Sequence, residues 1–223
     1  MSAKPIVAVI DYGAGNLVSI DQALTTVGAE ARVVDEPRAL RGVDAVIVPG
    51  VGAAAPAMAR LKRHRLVEPI VAWLAADRPF LGICLGLQLL FEGSDEDGAV
   101  TFGALPGRIV RLIGAPTLPH IGWNQVERDR EHPLFDGIAD GADFYFVHSY
   151  AGVLPVGASE GGVPDVPGPG AGDDLVIART THGRPFVSAV GRGALGGVQF
   201  HPERSGPDGL RLLANFVGLV RPA

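Results

Sequence analysis

Phe80-Leu81-Gly82-Ile83-Cys84-Leu85-Gly86-Leu87-Gln88 is an apolar run that reads as a strand, breaks at a cysteine framed by glycines and resumes as a helix. A nucleophile on so sharp a strand-to-helix turn needs very small residues two positions to either side, and Gly82 and Gly86 supply them. The Cys84 thiol then meets a helix start, where unpaired N–H groups and the helix dipole favour the thiolate. The next N–H, that of Leu85, is set to hold an oxyanion. A lone cysteine is ordinarily a buried structural residue. The Gly-x-Cys-x-Gly frame shifts the reading to a reactive one.

Working outward, Ile6 to Ile10 is a continuous β-branched run of the kind buried on both faces of a sheet, and Asp11-Tyr12-Gly13-Ala14-Gly15-Asn16 reads as a tight loop into a helix. Ala31 to Val34 and Ala45 to Val48 repeat the strand pattern, and Glu68 to Ala76 has helical spacing. Strands alternating with helices predict an α/β fold with a parallel sheet covered on both faces. After about residue 105 the candidate strands shorten: Arg108 to Leu112, Phe144 to His148, Leu175 to Thr180, Phe186 to Val190 and Ala194 to Phe200. This portion is expected to be mixed or antiparallel. A last helix, about Pro207 to Val220, carries Leu210, Leu213, Phe216 and Val217 on one side. The Gly/Pro-dense stretch from Val156 to Asp174 reads as a surface loop inserted in a single domain spanning residues 1–223.

The chain has 223 residues, 47% of them hydrophobic and 19% charged, enough for a sizeable core. A formal net charge of -5, with no basic stripe interleaved with aromatics, argues against a nucleic-acid partner. One cysteine allows no internal disulfide and suits a reducing, cytoplasmic setting. The apolar start is too short for a signal peptide, and no stretch approaches the roughly 18 apolar residues of a membrane span. No metal-ligand cluster is visible and no cofactor is implied.

A catalytic cysteine needs a base, and the base needs an orienting group. Of six histidines, His64 lies in a basic cluster, and His132 and His182 sit beside turn residues. His201 differs, because it ends the apolar strand Gly197-Val198-Gln199-Phe200 and precedes Pro202 and Glu203. Proline keeps the preceding residue extended, so Glu203 should point the same way as His201 and bond one of its ring nitrogens. Pro49-Gly50-Val51-Gly52, directly after a buried strand, is a flexible turn able to offer a second oxyanion donor.

Together these residues resemble the class I glutamine amidotransferases, whose Cys-His-Glu triad is matched by Cys84, His201 and Glu203. Gly-Ile-Cys-Leu-Gly-x-Gln and Phe-His-Pro-Glu stand in that family's order, and the resemblance covers nearly the whole chain. It implies the flavodoxin-like fold of the family: a mostly parallel central sheet flanked by helices, with an additional antiparallel portion. It also implies L-glutamine as substrate, an oxyanion site from Leu85 and from Val51 or Gly52, and glutamine-binding positions at Gln88, His148, Ser149 and Tyr150. With no synthetase domain in the sequence, the resemblance implies a glutaminase subunit serving a partner enzyme.

Four segments resemble the branch of this family that serves histidine biosynthesis: Asp11 to Asn16, Pro49 to Gly52, Pro119-His120-Ile121-Gly122-Trp123-Asn124 and His201 to Gly206. The anthranilate and GMP types usually carry Ser-Pro-Gly-Pro-Gly at the oxyanion strand and His where this chain has Leu87. That branch implies a heterodimer with a cyclase subunit built as a (βα)8 barrel, with Asn16, Trp123, Tyr145 and Arg204 at the interface or ammonia gate. The chain departs from the family at Ala54, where an aromatic residue is frequent, and at Arg204, where Lys is frequent. Rival readings are a glutaminase serving another ammonia-using synthase, and a non-catalytic, stress-type protein on the same scaffold.

Overall fold

A computed structural model describes residues 4–154 and 174–220. Its strands are β1 (Ile6–Ile10), β2 (Glu30–Val34), β3 (Ala45–Val48), β4 (Phe80–Ile83), β5 (Gly93–Ser94), β6 (Arg108–Arg111), β7 (His120–Arg128), β8 (Ala142–His148), β9 (Tyr150–Val153), β10 (Val176–His182), β11 (Arg184–Arg192) and β12 (Leu195–Val198). The helices are α1 (Leu17–Thr26), α2 (Ala54–Arg63), α3 (Val67–Ala75), α4 (Leu85–Gln88) and α5 (Gly206–Val220). The insert expected at 156–174 lies, apart from Asp174, outside the described residues.

Nine strands form one sheet in the order β2-β1-β3-β4-β12-β11-β10-β7-β8, and β5, β6 and β9 form a small second sheet. The neighbours from β2 to β12 are all parallel. From β12 to β8 every pairing is antiparallel. The expected parallel half and antiparallel portion are therefore both present, fused into one sheet.

Alternation along the parallel strands divides the core in two. Val7, Val9, Ala45, Ile47, Leu81 and Ile83 face α1 and α5, packing with Ile20, Leu24, Leu212 and Phe216. Ala8, Ile10, Val46, Val48 and Phe80 face the other way, toward Leu61, Ile70, Trp73 and Leu87. Burial on both faces is why these strands read as unbroken apolar runs. On α5 the buried side is Leu212, Leu213, Phe216, Val217 and Val220, whereas Leu210 is only partly covered. Among the described residues, no helix is long and apolar enough to cross a membrane.

β7 is a nine-residue strand for which the sequence offers no apolar face to read. Its large apolar residues Ile121 and Trp123 are 60% and 57% exposed, while His120 and Val126 point inward. The alternation is there with its chemistry inverted at one end.

The sharpest local constraint is at the turn from β4 to α4. A Cβ on Gly82 would lie 2.6 Å from the Gly86 carbonyl carbon, and one on Gly86 would overlap the Val48 carbonyl oxygen. Neither glycine has a positive φ, so both are required by close approach and not by backbone conformation. Replacing Gly86 by Ala should lower stability by about 3 kcal/mol or more, because backbone atoms block any escape. Urea unfolding monitored by circular dichroism would measure this, and a midpoint equal to the parent's would contradict the packing.

Candidate active site

The parallel pairing of β4 with β12 sets Ile83 opposite Val198, so the residues leaving the two strands emerge side by side. Cys84 donates its backbone N–H to Val198 O at 2.8 Å and adopts φ 54, ψ -109. A positive φ in a non-glycine residue is strained, and such strain recurs where a nucleophile must be presented. The thiol is buried, 3.9 Å from Val147 O, and receives the side-chain N–H of Gln199 at 3.6 Å.

His201 leaves β12 extended, at φ -104, ψ 92. Glu203 does not continue that extension, because Pro202–Arg204 forms a single 3-10 turn. The turn nevertheless brings the Glu203 carboxylate to His201 Nδ1 at 2.8 Å, with the two side chains only 1% and 6% exposed. Nε2 has no hydrogen-bond partner among the described residues and is the ring nitrogen left for Cys84. Burial opposes a charge on this imidazole, but hydrogen bonding and negative charge at Cys84, and then at Glu203, outweigh burial and raise the pKa to about 10. The three residues thus form an ordered Cys-His-Glu line.

A pocket of about 210 Å³ opens over Cys84, lined by Gly52, Ala53, Leu85, Gln88, Glu96, Pro119 and Val147 to Tyr150. Gln88, His148, Ser149 and Tyr150, singled out from the sequence, are all on its wall. Glu96 was not singled out, because it stands in an acidic run that reads as solvated surface; burial, and then Asp97, raise its pKa. Gln199 and Tyr12 were missed as well, each having an ordinary sequence setting.

The two segments expected to supply oxyanion donors, Leu85 and Pro49 to Gly52, face each other. The Leu85 N–H is directed at Gly50 O, 3.4 Å away, and is not open to a substrate. The facing strand is held there: Tyr12 donates its hydroxyl to Pro49 O at 2.8 Å, and a Cβ on Gly50 would overlap that hydroxyl. The Val51 side chain is half exposed, and Gly52, at φ 93, has open space around it. α4 is also only one turn long, so the helix dipole invoked for the thiolate is small.

Of the four expected interface residues, three meet. Trp123 and Tyr145 are register partners on β7 and β8 with ring centroids 6.1 Å apart, and the Arg204 guanidinium lies 4.4 Å over the Tyr145 ring. Asn16 instead caps α1, accepting from Ser19 N at 3.3 Å. Among the described residues, no group of three or more His, Cys, Asp or Glu side chains is arranged to hold a metal ion.

A nucleophile elbow on a parallel sheet, beside a buried His–Glu pair and a pocket for a small polar substrate, defines a thiol-dependent acyl-transfer enzyme. The family model "Glutamine amidotransferase class-I" matches residues 8–219, and the chain belongs to that family. It is 46% identical over 217 residues to the imidazole glycerol phosphate synthase subunit HisH of Chloroflexus aurantiacus, covering 95% of each chain. It is 45% identical over 221 residues to the protein of that name from Moorella thermoacetica, covering 99% of this chain and 97% of the relative. Among solved structures, PurLQS from Thermotoga maritima superposes with a TM-score of 0.71 at 19% identity, covering 98% of this chain and 100% of that one. Another, described as a glutamine amidotransferase, gives 0.70 at 19% identity, covering 96% and 98%. These two show the shared fold.

His148, on the pocket wall, and His120, bonded to it, shift in the opposite direction from His201. Burial, and then His182, lower His120 to about 4. Burial lowers His148 to about 3, against a raising effect of its bond to Tyr150 O. Their unfolded pKa is near 6.5, so their contribution to stability is complete above that value and is lost as pH falls toward 4 and 3. His132, lowered by burial and then by Arg130, acts in the same sense. His201 has the reverse sign: its contribution is complete below about 6.5 and is lost as pH rises through about 10. Below pH 6 it is protonated folded or unfolded, leaving the depressed histidines to set the slope. The urea midpoint should therefore fall between pH 6 and 4.5; a flat or rising midpoint would exclude this assignment.

Proposed function

We propose that this chain is the glutaminase subunit of imidazole glycerol phosphate synthase, a single domain that works in the cytoplasm as a heterodimer with a (βα)8 cyclase subunit. The observation that carries the chemistry is the buried Cys84–His201–Glu203 line, whose cysteine lies in the wall of a pocket sized for an amino acid. The relatives' shared name supports the choice of synthase.

In this reading the Cys84 proton passes to His201 Nε2, and the thiolate attacks the side-chain amide carbon of glutamine. The new C–S bond moves the carbonyl electron pair onto oxygen, giving a tetrahedral oxyanion. His201 returns the proton to the amide nitrogen, ammonia departs, and a γ-glutamyl thioester remains. Water, deprotonated by His201, then releases glutamate and restores the thiol. Glu203 holds the imidazole in the tautomer with its Nε2 toward sulfur and steadies the imidazolium. Gln88 and the His148–Tyr150 segment position the glutamine, and Glu96 supplies a carboxylate for its ammonium group.

The oxyanion requires two changes around Gly50. The Gly50 carbonyl must leave the Leu85 N–H, and the Val51 or Gly52 N–H must turn inward. Each such donor supplies about 3 kcal/mol in comparable sites. A resting subunit with Gly50 O against Leu85 N is accordingly slow, which spares glutamine when no acceptor is present. The exposed cluster of Ile121, Trp123, Tyr145 and Arg204 is the surface offered to the cyclase, with Asn16 at its margin. Ammonia passing into the cyclase there would react with a phosphoribulosyl formimino aminoimidazole carboxamide ribonucleotide, splitting it into imidazole glycerol phosphate and the aminoimidazole carboxamide ribonucleotide.

Glutamate release should be abolished in Cys84→Ala and should rise when the cyclase and its nucleotide substrate are both added. An unchanged rate on adding both would remove the assigned partner, and activity surviving in Cys84→Ala would remove the mechanism. Glu203→Gln should lower kcat about 100-fold with little change in the KM for glutamine, since the carboxylate acts on the base and not on the substrate.

A further inference from the structure

One backbone carbonyl dictates the polarity of an entire buried hydrogen-bond chain beside the nucleophile. Tyr150 O can only accept, and it accepts from two directions: from His148 Nδ1 at 2.9 Å and from Gln88 Nε2 at 2.8 Å. On the histidine side, His148 must carry its proton on Nδ1, leaving Nε2 bare to accept from His120 Nδ1 at 3.1 Å. His120 Nε2 is then bare in turn and accepts from Asn124 Nδ2 at 3.2 Å, which also donates to Thr181 O at 2.9 Å.

On the glutamine side the same logic runs toward the sulfur. With its amino group at Tyr150 O, Gln88 also donates from Nε2 to Gln199 Oε1 at 3.1 Å. The Gln199 oxygen is thereby committed to Gln88, so its amino group is the end that faces Cys84 Sγ, 3.6 Å away. Gln199 has no exposed surface and no freedom to flip, and its backbone N–H is fixed to Ser188 O at 2.8 Å.

From this geometry we infer that Gln199 is a further catalytic residue, whose amide N–H donates to the Cys84 sulfur and favours the thiolate over the thiol. A hydrogen bond to an ionised acceptor is roughly twice as strong as one to a neutral acceptor, so the donor stabilises the charged sulfur selectively. The same donor meets the sulfur again when water expels it from the thioester. Gln199 is neutral and cannot take the proton, which leaves proton transfer to His201. Two titratable groups also face the sulfur: His201 from the turn after β12 and Tyr12 from the loop after β1.

The inference rests on Cys84 as the nucleophile, but its test reads the sulfur directly. Cys84 is the chain's single cysteine, so alkylation of the full-length protein by iodoacetamide reports on that sulfur alone. In Gln199→Met, which keeps the bulk and removes the donor, the alkylation profile should shift to higher pH. A shift of one pH unit lowers the rate about tenfold at any pH well below the midpoint of the profile, following the thiolate fraction. Gln199→Glu keeps an oxygen toward Gln88 and sets a carboxylate against the sulfur; its shift should be in the same direction and larger. Circular dichroism scores folding, and the glutamate variant decides if the methionine variant does not fold. A parental alkylation profile in either folded variant overturns the role of Gln199, whereas glutaminase activity in Cys84→Ala would overturn the nucleophile itself.

Discussion

The active site depends on how closely the β4–α4 turn can lie against β3. Val48 pairs in register with Gly82, and the Val48 carbonyl occupies the space a side chain on Gly86 would need. That contact clamps the turn from below, while the Cys84 N–H bond to Val198 O clamps it from the side. Held at both points, Cys84 keeps its positive φ and projects its sulfur over the carboxyl ends of the strands, where open parallel sheets bind their ligands. The strain is sustained by the packing around it, since the small side chain of Cys84 could not offset it alone.

The second clamp also decides where the base stands. Val198 accepts from Cys84 three residues before His201, so the nucleophile and the imidazole are indexed to each other through one strand pairing. β8 then fixes His201 from the opposite side. The His201 N–H donates to Tyr145 O at 2.9 Å, and the Tyr145 N–H donates to Ser205 Oγ, which donates back to His201 O at 2.6 Å. The Tyr145 ring meanwhile carries Arg204 and touches Trp123 on the surface. The backbone of one residue thus holds the base while its side chain belongs to the exposed aromatic cluster. In the proposed heterodimer, a partner docking on that cluster would press on a rung only one hydrogen bond away from His201.

Much of this was legible in the sequence because it is local. The buried parallel strands are continuous apolar runs, the elbow is a spacing of two glycines about a cysteine, and His201 and Glu203 are two residues apart. What was not legible is set by partners distant in the chain. β7 escaped because its inward residue is a histidine whose burial is made tolerable by His148, 28 positions away, while its apolar residues face out. Gln199 reads as one polar residue at a strand end, and only the crossing of β12 past α4 brings it to Gln88 and to the sulfur. The closed oxyanion site was equally hidden, since the sequence shows that Gly50 permits a turn without showing which way its carbonyl points.

His120, His148 and His201 show how one buried environment sustains a charged imidazole beside neutral ones. Desolvation lowers all of them, and what separates them is the partner at the second ring nitrogen. His201 has a carboxylate at Nδ1 and the Cys84 sulfur beyond Nε2, which as thiolate rewards a proton just as the carboxylate does. His148 has a carbonyl at Nδ1 and the N–H of another neutral imidazole at Nε2, so a second proton would face a donor with no acceptor to receive it. The neutrality of His148 bears on the proposed chemistry because His148 lines the same pocket as Cys84. In the proposed reaction a second imidazolium there would compete for the thiolate and offer a wrong proton source to the leaving nitrogen. By engaging both nitrogens of His148 in a directed chain, the fold leaves His201, whose Nε2 has no hydrogen-bond partner among the described residues, as the imidazole with a nitrogen left for the proposed proton transfer.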